Sequence, residues 1–122
     1  MAESEKAPTQ EQLHEALFAQ LVLMFQGAAM QAMGKVMNPI TQKVERDLDQ
    51  AKHSVDMLGM LEAKTKGNLT EHESSFLTHT LFELRMNYVD EVKRSQEEEK
   101  KEEGEKEEEG EEEKEEEGTA RE

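Results

Sequence analysis

ALFAQLVLMFQGAAMQAMG, residues 16–34, runs for nineteen positions without a charged side chain, in a chain that is 37% Asp, Glu, Lys and Arg. At 100° per residue its apolar side chains nearly encircle a helix. Phe18, Val22, Phe25, Ala29 and Met33 line one face, with Leu21, Ala28 and Ala32 beside it; Leu23 and Met30 lie towards the opposite flank. The remaining gap holds Ala16 and a stripe of small or uncharged polar residues, Gln20, Gly27, Gln31 and Gly34. A helix apolar on most sides demands burial on most sides. Two partner helices do not easily supply that cover, so the stretch points to an all-α fold whose first helix also meets another subunit.

The alternative is lipid, because a span needs about 20 predominantly apolar residues. Against it stand Gln20, Gln26, Gln31, Gly27 and an acidic flank with Glu3, Glu5, Glu11 and Glu15. No Trp or Tyr marks either end of the run, as interfacial anchors would. The same glutamates occupy the place of the basic n-region of a signal peptide.

Working outward, Thr9 and Gln12 have capping-box spacing, so helix one is expected over about residues 10–34, with Gly34 at its left-handed C-terminal position. Residues 1–8 read as a disordered leader. Asn38-Pro39 signals a turn. A second helix over about 45–66 carries the seam Val44, Leu48, Ala51, Val55 and Leu58, with Gly67 as its cap. The third, over about 71–98, opens on Thr70 and Glu73, a second capping box. Its seam is Leu77, Leu81, Leu84 and Tyr88, with Phe82, Met86 and Val89 on another stripe. The expected core is Phe18, Leu21, Val22, Phe25, Val55, Leu58, Leu77, Leu81, Leu84 and Tyr88. Together these make a small three-helix domain over residues 9–94.

Residues 95–122 are a Glu-rich, low-complexity tail: sixteen Glu against five Lys and Arg, or −11 of the chain's −15. Glu97 with Lys101 and Glu102 with Lys106 are favourable i,i+4 pairs that extend helix three by a few turns. Beyond Gly104 the pairs are mostly Glu with Glu and no apolar face offsets the ordering entropy, so disorder is expected. The tail solubilises and repels, and its one alternative role is salt-sensitive attraction to a basic partner.

In 60–73, MLEAKTKGNLTEHE, and 82–89, FELRMNYV, the chain resembles a bacterial family catalogued as domain of unknown function (DUF) 1844. The uncharged run and the Asn38-Pro39 turn resemble that family's opening half, so the likeness spans about residues 17–92. It implies a short helical domain with no assigned activity and no catalytic residues to carry over.

Chemistry is sparse. Glu11-x-x-His14 has the spacing of half a di-iron site, but a second copy is missing from the sequence. His72, and His79 with Glu83, read as surface partners on helix three, as does His53 near Asp49 on helix two. Arg85 is expected to pair with a carboxylate on helix two, such as Glu62, or to cross to another subunit. No nucleophile elbow or phosphate loop is present. No catalytic, cofactor-binding or metal-binding residue is therefore assigned. Residues 1–94 carry only −4 and show no basic stripe, which argues against nucleic acid. The absence of cysteine excludes disulfides and thiol chemistry and fits the cytoplasm. The expected function is a non-enzymatic helical module that forms a homo-oligomer, a dimer first, or engages another protein. A membrane-surface or helix-docking adaptor using helix one comes second, and a metal-dependent enzyme third.

Overall fold

The computed structural model describes residues 7–120, with side chains described as far as Gly110. It contains three helices, α1 (Gln10–Ala32), α2 (Leu48–Thr65) and α3 (Glu71–Ala120), and no strand among the described residues. The chain divides into two units, Met1–Tyr88 and Val89–Glu122, and α3 contributes to both.

Each helix in the first unit starts where a side chain can satisfy the free amides of its first turn. At α1 the Thr9 hydroxyl accepts from the Gln12 amide at 3.1 Å while the Thr9 amide donates to Gln12 Oε1 at 2.9 Å. Asp47 accepts from the Gln50 amide at α2, 3.2 Å away. Ahead of α3, Thr70 and Glu73 repeat the reciprocal box at 3.1 and 2.9 Å. The first and third starts coincide with the capping boxes expected from sequence, and α2 begins at Leu48, a few residues after the expected start near 45.

The end of α1 is a Schellman motif. Lys35 N–H donates to the Met30 carbonyl at 3.0 Å and Gly34 N–H to that of Gln31 at 3.1 Å. Gly34 takes φ +78°, so this glycine belongs to the turn and not to the helix. The chain then reverses through Asn38, whose Oδ1 accepts from the Ile40 amide at 2.9 Å, and the Ala32 carbonyl receives the Asp47 amide at 2.7 Å. That last bond ties the entry of α2 to the exit of α1.

The core of the first unit joins Val22, Ala29 and Met33 to Ala51, Val55 and Leu58 of α2 and to Leu77, Leu81 and Leu84 of α3. Phe18, Phe25 and Tyr88 pack against it half-buried. Small residues on α2, Ala51 and the buried Ser54, let its neighbours approach closely. Two expectations need correction. Leu21, expected in the core, is 38% exposed, because only one narrow face of α1 is covered. Val44 lies ahead of α2, exposed, so that helix's seam begins at Leu48.

In the second unit, α3 continues beyond the expected limit near residue 98 as far as Ala120. Arg94 spans Asp90 at 3.5 Å and Glu91 at 3.6 Å. Residues 96–109 are all exposed, so this extension rests on local pairing alone. The boundary moves, while the reason for expecting disorder, the lack of any apolar face to bury, stands. Most of the expected leader, residues 1–6, and residues 121–122 lie outside the described residues.

Candidate interaction surface on α1

Only Val22 and Ala29 are buried within α1, the most apolar helix in the chain. Its far side presents Leu17 at 59% exposure, Met24 at 64%, Leu21 and Leu23, with Leu13 nearer the start. Leu17, Leu21, Met24, Ala28 and Gln31 follow one another in steps of four, three, four and three. That spacing keeps them in a single seam along the helix. Ala28 is exposed and Gln31 half-buried. Extending the same steps towards the start adds His14 and Gln10, both exposed. The seam is thus apolar in its middle and polar at both ends.

The expected stripe lies differently. Gln20 and Gly27 are exposed beside this seam, and a Cβ added at Gly27 would meet nothing within 4 Å. Gln31 belongs to the seam itself, and Gly34 leaves the stripe for the turn that ends the helix. Leu17 and Met24 were not singled out by the wheel, because an all-round apolar helix does not reveal which face its neighbours will take. Their four–three spacing was the available signal.

Other exposed apolar groups extend the pattern. Val36, Met37 and Ile40 follow the end of α1, and Ile40 is 91% exposed on a loop closed by the Asn38 amide donating to the Lys43 carbonyl at 2.9 Å. On α3, Phe82 and Met86 are also exposed, so the second stripe read from that helix is uncovered.

The polar groups form scattered pairs. Glu15 Oε1 lies 3.4 Å from the Thr70 hydroxyl and 3.7 Å from His72 Nδ1, linking α1 to the start of α3. His79 Nε2 is 3.2 Å from Glu83, and Gln10 contacts His14 at 3.3 Å. Among the described residues no group of three or more His, Asp or Glu could hold a metal ion. The expected Arg85–Glu62 pair gives way to two other contacts. Glu62 accepts from the Thr78 hydroxyl at 3.1 Å, and the Arg85 guanidinium lies over Gly59, 3.2 Å from where a Cβ would stand. A cleft of about 260 Å³ at the end of α1 is lined by Ala28, Gln31, Asn38, Glu45, Asp47 and Gln50, without a base-and-nucleophile arrangement.

Residues 15–90 match the family described as domain of unknown function (DUF1844). The chain belongs to that family. No curated protein and no solved structure matches it. The DUF1844 region takes in α1 from Glu15, all of α2 and the turns of α3 that carry the core. The exposed Leu17, Leu21 and Met24 of α1 and Phe82 with Met86 therefore fall inside the family domain, and the Glu-rich tail falls outside it.

Proposed function

We propose that this protein is a non-enzymatic, cytoplasmic helical module that self-associates as a homodimer through the outward face of α1. The observation that carries this reading is the exposure of Leu17, Leu21 and Met24 on a helix that is uncharged from Ala16 onward and whose opposite face already fills the core. Contiguous exposed apolar surface of this kind marks an interaction site. A second copy suits it because an uncharged seam meets its own image without electrostatic repulsion, and closed two-fold pairing uses the same patch on both copies. The contact line, about 34 Å for a helix of this length, is short, so the dimer is reversible and concentration-dependent.

Light scattering on the full chain is the direct test. The expected mass is about twice 14.0 kDa, falling towards one chain on dilution. A mass of one chain up to on the order of 100 μM would overturn the proposal.

One observation favours a second reading. By length and composition α1 is long and apolar enough to cross a membrane, and little of it is buried. Part of α1 would then serve as a membrane-surface or helix-docking adaptor. The acidic body works against anionic lipid. Flotation of the protein with zwitterionic or anionic vesicles would support this adaptor over the dimer. An enzyme ranks third, and a stoichiometric metal in the purified protein is the finding that would raise it.

A further inference from the structure

On another flank of α1 an apolar groove opens towards α3. Leu23 stands about 100° or more round the helix from Leu17, Leu21 and Met24, so this flank is separate from the seam. Phe18, Ala19 and Leu23 of α1 meet Phe76 of α3 in a groove of about 410 Å³. Phe18 and Phe76 are half-buried against the core, which fixes the groove's base, while Leu23 is 51% exposed.

Glu15 and Glu73 line the same groove and converge on Thr70. Glu15 Oε1 lies 3.4 Å from the Thr70 hydroxyl, and Glu73 Oε1 accepts from the Thr70 amide at 2.9 Å. Negative charge is thus gathered at one end. His72 beside them carries charge only when protonated, and no Lys or Arg is among the described residues lining the groove. The N-terminal dipole of α3 offsets only about half a charge, against two carboxylates.

An apolar groove with a negative end complements a segment that sets a bulky apolar side chain beside a Lys or Arg. This chain's own segments fit poorly. The leader holds Glu3 and Glu5 against Lys6, residues 95–122 carry −11, and a second copy brings −15. We propose that the groove takes a basic amphipathic helix of another protein, its apolar side chain over Phe18 and Phe76 and its cation at Glu15 and Glu73. This contact is independent of the α1 seam.

The probe is a synthetic helix of about 14 residues with Leu on one face and Lys on the other, titrated into the isotope-labelled full chain. In about 0.05 M salt, magnetic resonance shifts are expected at Ala19, Leu23 and Phe76. Glu15→Gln with Glu73→Gln preserves side-chain shape and the capping box, where Gln serves as Glu does, and should weaken binding about tenfold. Leu23→Gln should weaken it as well. A control helix with Glu in place of Lys should not bind.

Shifts confined to Gly104 and Gly110 would mean attraction to the Glu-rich segment alone and overturn the proposal. So would undiminished binding by the double variant, or Phe76 signals that move with protein concentration alone, which put a second copy in the groove. Leu17→Gln, on the seam, should lower the mass and leave probe binding within about twofold. A one-chain mass with intact probe binding removes self-association and keeps the groove.

Discussion

Gly27, inside α1, and Gly34, in the turn that ends it, should respond to alanine with opposite signs. Gly34 holds φ +78°, a region that costs an L side chain about 1 kcal/mol, so Gly34→Ala should lower stability by about that amount. Gly27 lies within α1 with open space around it, and Gly27→Ala should raise stability by up to about 1 kcal/mol through helix propensity. Urea unfolding of both variants at one protein concentration checks the pair, and equal signs would refute it. Caps offer a related comparison. Thr9→Ala should cost about 1 kcal/mol, and Thr70→Ala more, because the Thr70 hydroxyl also reaches Glu15 across to α1. Both boxes were legible from three-residue spacing. The Thr70–Glu15 contact was not, since it joins residues 55 positions apart.

Among the elements, α1 and α3 show how apolar side chains come to different ends. Leu77, Leu81 and Leu84 are buried on α3, and Leu81→Ala should cost about 2–5 kcal/mol in chemical denaturation, as cavity formation in a packed core requires. Leu17→Glu on α1 should leave the helix content and the cooperative unfolding of the fold in place, because that side chain faces away from the core. The distal half of α3 follows local rules alone. Residues 96–109 are exposed and an isolated helix of such composition is marginal in water. Removing residues 95–122 should shift the thermal midpoint by no more than about 2 °C, and a peptide of that segment should show little helical circular dichroism. A large loss of stability on truncation would show that the tail supports the fold.

For the whole molecule, the charge of the body and tail opposes association while the seam itself carries none. Raising salt from about 0.05 to 0.5 M should therefore strengthen the proposed dimer modestly, by screening the −15 of each chain. Sedimentation at several salt concentrations measures this, and weakening with salt would point instead to ion pairs across the contact. Leu17→Glu places like charges in the seam and should yield a folded monomer, which light scattering and circular dichroism together would establish.

What the sequence by itself determined were the local decisions: three helices, their caps, the glycine that ends α1, the leucine seams, the family, and a tail with nothing to bury. Each depends on residues within a few positions of one another. Only the tertiary structure decided which face of α1 is covered. An all-round apolar helix has no preferred inner side until its neighbours take one. Here Val22, Ala29 and Met33 were taken inward, leaving Leu17, Leu21 and Met24 outside. Burial is a property of what packs against a residue, and for residues 16–34 that choice belongs to α2 and α3.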